Sequence, residues 1–184
     1  MKTAVVVFPG SNCDRDVQRA VSETLKTSVD MVWHEETEFA SEPDLVILPG
    51  GFSYGDYLRS GAMAARSPII AAVRRHAEAG RLLLGICNGF QVLTETKLLP
   101  GALLANTTTT FICKKCYVRV EQTNNRFTSG LKKGEIVEYP IAHHEGLYFL
   151  PPAELEELEK AGRVVFRYAD PATGKAGAEY APNG

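Results

Sequence analysis

Several large classes of protein are excluded by what this sequence lacks. No uninterrupted apolar run approaches the about eighteen residues that a membrane-spanning helix needs. The first apolar stretch, residues 3–8, stops at Pro9-Gly10 and is too short for the hydrophobic region of a secretion signal. Neither export nor a membrane anchor is expected, and the cytoplasm is the expected compartment. Charge of one sign is not in excess either: 20 Lys and Arg stand against 22 Asp and Glu, with no long basic cluster to follow a phosphate backbone, so nucleic acid is not an expected partner.

Cysteine is sparse. Four in a chain without a secretion signal read as free thiols rather than as a disulfide framework. Cys113 and Cys116 form a C-x-x-C in FICKKCYVRV, but no second ligand pair follows, and structural zinc takes about four ligands. No metal is expected.

The chain has 184 residues, 45% hydrophobic and 23% charged, which makes a single domain spanning 1–184 the default. Its first half alternates β-rich apolar runs with helical patterns: strands at 3–8, 29–33, 44–48 and 81–86, helices at 14–25, 68–79 and 88–96. Strands read as continuous apolar runs when both faces are buried, the mark of a parallel sheet covered by helices. The predicted class is α/β: a doubly wound, mostly parallel sheet flanked by helices. The second half predicts a mixed or antiparallel section, with short strands near 103–112, 116–121, 136–142 and 147–150, a helix near 153–161, a strand at 164–168 and a turn-rich tail. Glycines follow the strand ends of the first half, and open α/β sheets bind ligands beyond the carboxyl ends of their strands.

The sharpest motif is RLLLGICNGFQVLTE, where a strand runs through Gly85-Ile86-Cys87-Asn88-Gly89 into a helix. It has the form of a nucleophile elbow with sulfur as the nucleophile. Glycines on either side allow strand and helix to approach, so Cys87 can project above the sheet at a helix N-terminus, where the dipole should lower the thiol pKa. The alternative is a small buried cysteine packing the junction. DLVILPGG places a second glycine-rich loop at the end of a neighbouring strand. An acyl-transfer nucleophile needs donors for its oxyanion; the amides of Gly51 and Asn88 fill those two places, although Pro-Gly-Gly alone is also compatible with a phosphate-binding or plain tight turn.

FPGSNCDRD, PGGFSYGDYLRSGA, GICNGFQ and PIAHHEG, in order over nearly the whole chain, resemble the glutaminase subunits of phosphoribosylformylglycinamidine synthase, among the class I glutamine amidotransferases. The resemblance implies glutamine hydrolysis through a γ-glutamyl thioester on Cys87. The ammonia would pass to a separate synthetase subunit that uses ATP and Mg to convert formylglycinamide ribonucleotide to the amidine, in a complex with a small accessory subunit. No cofactor is implied for this chain itself. Gly50, Gln91, His143 and His144 are the implied substrate-binding residues, with the His-His-Glu-Gly loop closing over the glutamine.

Family members carry a general base in a Pro-His-Pro-Glu motif near the C-terminus. The 184 residues contain no such motif, so the chain is expected to be truncated at that end and its turnover conditional on the missing base; a non-catalytic docking subunit is the alternative. A cysteine hydrolase or redox protein on a similar scaffold would share the elbow but gives no reason for PGGFSYGDYLR. His34 and His76 read as surface or structural, whereas His143 or His144, followed by Glu145, could replace the base.

Overall fold

Residues 1–183 are described by a computed structural model. Their contacts gather into two compact units, Met1–Ala102 and Leu103–Gly184.

In the first unit the apolar runs become β1 (Thr3–Val7), β2 (Val29–Trp33), β3 (Leu45–Leu48) and β4 (Leu82–Gly85), with helices α1 (Asp14–Leu25), α2 (Ile70–Glu78) and α3 (Asn88–Glu95). The strands form one parallel sheet in the order β2-β1-β3-β4. Alternation along the strands serves both faces. Ala4, Val6, Val46 and Leu48 point into a core with Val73 of α2 and Val92 and Leu93 of α3, while Val5, Leu45 and Ile47 meet Val17 and Val21 of α1. The sheet is therefore doubly wound, as its sequence pattern predicts. Val5, Val6, Val46, Ile47 and Leu48 are almost wholly buried, each burial contributing about 1.5–3 kcal/mol. β2 and β4 are only half-buried, because they are the edges of this sheet.

The strand order also locates the crevice. From β1 the chain moves outward to β2, then returns past β1 to β3, so connections leave β1 and β3 in opposite directions and the loops at their carboxyl ends part. Here the loop after β1 meets the loop after β3: Tyr54 N donates to Pro9 O at 2.6 Å and Phe52 N to Gly10 O at 3.4 Å.

The three-stranded sheet of the second unit is antiparallel. β6 (Ile112–Val120) pairs with β7 (Ile136–His143) and β9 (Phe166–Tyr168), while β5 (Ala102–Leu104) pairs with β8 (Leu147–Phe149); α4 (Pro152–Lys160) follows β8. One expectation fails: residues 103–112 are not a continuous strand. The β-branched run Thr107–Thr110 favours extended backbone, but the buried Asn106 side chain donates to Thr110 O and to His143 O, both at 2.9 Å, and turns this segment into a loop. β6 starts earlier than expected, at Ile112, because β7 continues opposite it to His143. Among the described residues no helix is long and apolar enough to cross a membrane.

Candidate active site

Cys87 occupies the turn between β4 and α3 with φ 52° and ψ −108°, a left-handed conformation that costs a non-glycine residue about 1–3 kcal/mol. The surroundings enforce it. Ile86 N donates to Leu48 O at 3.0 Å, extending the β3–β4 ladder to the residue before the turn, and Cys87 O accepts from Phe90 N and Gln91 N at 2.9 and 3.2 Å, starting the helix at once. A Cβ on Gly85 would lie 2.5 Å from Leu93 Cδ1, and one on Gly89 would overlap the Leu48 carbonyl. Strand and helix thus meet backbone to backbone, and the residue between them is raised above the sheet edge, where Cys87 is exposed.

Two amides converge on the Cys87 sulfur: the N–H of Asn88, first residue of α3, and the N–H of Gly51 from the loop after β3. Gly51 has φ 120°, which a side chain would not tolerate, and a Cβ there would meet Asn12 N and Oδ1 at 2.6 Å. Gly50 keeps the space beside the thiol open, since a Cβ on it would come within 3.4 Å of Cys87 Cβ and 3.7 Å of Cys13 Cβ.

The thiol titrates in the direction opposite to that expected from the helix dipole. Loss of solvent around the sulfur pushes its pKa up, nearby Cys13 and Asp56 push it further, and the Asn88 and Gly51 amides offset only part of this. A residue that is exposed overall can still have its sulfur packed on one side, so the two observations agree. The two donors suit a negative charge at this position, but in the resting state they do not outweigh desolvation.

The Asn88 side chain, 1% exposed, ties the loop after β3 to helix α3. Its Oδ1 accepts from Ser53 N at 3.3 Å, and its Nδ2 donates to Asp56 Oδ1 at 3.2 Å and to Gln91 Oε1 at 2.9 Å. The loop it anchors carries Tyr54, Asp56 and Leu58 at positive φ, while Arg59 pairs with Glu95 of α3 at 2.5 Å. Strain concentrated beside a nucleophile is characteristic of a preorganised site. Gln91 is buried, and its side-chain oxygen accepts from Asn88 Nδ2.

His143 and His144 lie in the second unit, where the neighbours separate their chemistry. Asn106 Oδ1 accepts the Gly146 amide at 3.1 Å and faces His143 Nδ1 at 3.0 Å. An oxygen can only accept, so Nδ1 carries the proton and Nε2 of the neutral ring keeps its lone pair. Desolvation lowers the His143 pKa, which favours that neutral form. His144 is raised instead: Nδ1 lies 2.6 Å from Glu145 Oε1 and Nε2 3.2 Å from Thr109 O, so both nitrogens face acceptors.

A model of the CobB/CobQ-like glutamine amidotransferase domain matches residues 1–184. The chain belongs to this family. Phosphoribosylformylglycinamidine synthase subunits PurQ of Koribacter versatilis and Aquifex aeolicus are 51% and 50% identical to it over 184 residues, all of this chain and 79% and 80% of theirs. In the structure of PurLQS from Thermotoga maritima one chain is 42% identical and superposes with a TM-score of 0.78, covering 92% of this chain and 74% of that one. The glutaminase domain of Trypanosoma brucei CTPS with bound acivicin is only 18% identical and, at a TM-score of 0.59, shares the fold.

Three features, two beside Cys87 in the first unit and one beside His143 in the second, were not singled out from sequence. Ser11 and Cys13 lie in the FPGSNCDRD motif, yet nothing in the spacing reveals that this loop reaches Gly50 and Gly51. Asp56 sits in PGGFSYGDYLR, and only the turn at positive φ brings its carboxylate to Asn88. Asn106 precedes a run of four threonines with no signal of its own. Elsewhere in the amidotransferase His34 and His76 are structural: both are buried, His34 Nδ1 against Tyr54 Oη at 2.9 Å and His76 Nε2 against Leu82 O at 2.8 Å. Cys113 and Cys116, three apart on β6, fall on opposite faces, one exposed and one buried, so they cannot share a metal ion. Among the described residues no group of three metal-ligating side chains occurs.

Proposed function

We propose that this chain is the glutaminase subunit of phosphoribosylformylglycinamidine synthase, with Cys87 as nucleophile, and that its two units are parts of one amidotransferase domain over 1–184. The observation that carries the reading is the convergence of the Asn88 and Gly51 amides on the Cys87 sulfur from two separate loops. A cysteine that merely packs a junction, or a docking subunit without chemistry, has no use for paired donors around a strained, exposed thiol.

The Cys87 thiolate adds to the γ-carboxamide carbon of glutamine, and the carbonyl oxygen becomes an oxyanion between the Gly51 and Asn88 amides. Collapse of this intermediate breaks the C–N bond, the nitrogen takes up a proton and leaves as ammonia, and a γ-glutamyl thioester remains. Water then adds to the thioester, the same donors hold the second oxyanion, and glutamate is released with the thiol restored. Removing one such donor typically costs about 100- to 1000-fold in kcat. A thiol with a raised pKa depends on a general base. The family resemblance supplies it from a Pro-His-Pro-Glu motif, which these 184 residues do not contain; within them, His143 is the imidazole held neutral with its Nε2 lone pair free of Asn106.

Glutamine binding is assigned to Gly50, Gln91, His143 and His144. The ammonia passes to the synthetase subunit, which uses ATP and Mg, in a cytoplasmic complex with a small accessory subunit. The test is acid-quench trapping of a glutamyl adduct from labelled glutamine in the assembled complex. The adduct is expected on Cys87 and absent from Cys87→Ala. Adduct on another cysteine, or none in the wild-type complex, overturns the assignment.

A further inference from the structure

The peptide between Gly50 and Gly51 presents its two ends to different partners. Its N–H, on Gly51, is one of the two donors aimed at the Cys87 sulfur. Its carbonyl, on Gly50, accepts the hydroxyl of Ser11 at 3.0 Å. In a trans peptide the C=O and N–H point in opposite directions, so fixing one end fixes the other. A peptide flanked by glycine on both sides has little else to resist rotation, because neither residue carries a Cβ to exclude alternative φ and ψ.

The loop bearing Ser11 is itself tightly held. Ser11 N donates to Phe8 O at 3.0 Å, and the contacts of Pro9 and Gly10 with Tyr54 and Phe52 bind the β1 loop to the residues just after Gly51. Both loops need glycine where they cross: Gly10 has φ 78° and a Cβ on it would meet Phe52 O at 2.7 Å, matching the tight approach of Gly51 to Asn12. Ser11 therefore presents its hydroxyl from a fixed support, and a donor on the carbonyl also polarises the peptide, strengthening its N–H as a donor.

We propose that Ser11 is a positioning residue for the oxyanion hole: its hydroxyl clamps the Gly50–Gly51 peptide with the Gly51 N–H turned toward the position that the oxyanion takes beside Cys87. Ser11 touches neither the thiol nor the substrate in this role and acts through Gly51. The inference rests on the amidotransferase reading of Cys87 and adds to it a residue outside both glycine-rich motifs. The clamp matters most when charge develops on the carbonyl oxygen. It should affect acyl transfer and, once the thiol is fully ionised so that the Gly51 amide's effect on its pKa no longer counts, leave a displacement reaction at sulfur, which forms no oxyanion, untouched.

The experiment compares wild type, Ser11→Ala and Ser11→Thr in the complex assembled with the synthetase and accessory subunits. Two rates are measured: glutamine turnover, resolved into kcat and KM, and alkylation of Cys87 by iodoacetamide. Ser11→Ala is expected to lower kcat by about 10- to 100-fold, less than the full loss of a donor because the amide remains and only its aim is relaxed. KM should move by no more than a few-fold, and the limiting alkylation rate, taken at a pH where Cys87 is fully ionised, should be unchanged. Ser11→Thr, which keeps the hydroxyl, should restore most of kcat. Wild-type turnover with an unaffected Ser11→Ala overturns the clamp alone. Equal losses in turnover and alkylation, or no rescue by threonine, assign Ser11 a general structural role and also overturn it. A wild-type complex that neither makes ammonia from glutamine nor forms a glutamyl adduct on Cys87 overturns the amidotransferase reading, and the clamp with it.

Discussion

Gly89 of α3 lies so close to Leu48 of β3 that any Cβ at position 89 would fall on the Leu48 carbonyl. That carbonyl already accepts Ile86 N, which holds the strand leading into Cys87. The elbow therefore depends on an atom that is missing from residue 89, and a change there reaches Cys87 without touching it.

Gly89→Ala should destabilise the protein by about 1–3 kcal/mol or more, because neither backbone can retreat without breaking the β3–β4 ladder or the first turn of α3. The readout is the thermal midpoint alongside Cys87 alkylation. A variant that melts with the wild type would show that strand and helix are not in this contact.

Alkylation of Cys87 in the isolated chain should keep rising with pH through about pH 9 instead of levelling off near neutrality. The sign follows from the shift: desolvation raises the thiol pKa, so less thiolate is present at a given pH than for an ordinary cysteine. Iodoacetamide rates across pH, followed by peptide mapping, give the curve. A plateau already reached at about pH 7 would mean that the amides outweigh desolvation.

Asn106→Leu should release His143 from its single tautomer and destabilise the second unit by about 2 kcal/mol or more, since the Gly146 amide and the Thr110 and His143 carbonyls lose their partner. Imidazole nitrogen shifts in wild type should show Nδ1 protonated and Nε2 bare, and a mixture in the variant. The lowered His143 pKa also has a pH signature. Its contribution to stability is present above about pH 6.5, the unfolded value, and is lost as pH falls through the folded value, because the unfolded chain takes up the proton first. His143→Gln should flatten that part of the profile; an unchanged profile would show that His143 is not held neutral.

Cys113 should react readily with a maleimide in the native protein and Cys116 only after unfolding. Zinc should leave the thermal midpoint unmoved. A midpoint raised by stoichiometric zinc and lost in Cys113→Ser would contradict the placement of the two thiols on opposite faces of β6.

The α/β alternation was legible because β1 and β3 are buried on both faces and so must be apolar without interruption, whereas α1 shows its single apolar stripe through Val17 and Val21. The elbow was legible for the same kind of reason: close approach of backbones permits only glycine at 85 and 89, and such a demand leaves its mark at a fixed spacing. Residues 103–112 were misread because four consecutive threonines favour a strand locally, and only one buried asparagine with distant partners decides otherwise.

Sequence by itself determined the sheet class and the glycine-flanked turn that carries Cys87 with the glycine loop after β3, since each is a local requirement written into residues adjacent in the chain. Tertiary structure alone decided which loop supports which. Ser11 reaches Gly50 across 39 positions, Asn88 reaches Ser53 across 35, and Asn106 reaches His143 across 37. It also decided the direction of the Cys87 pKa. The position at a helix start is a property of the local chain, but desolvation depends on everything packed around the sulfur, and here it outweighs the two amide donors.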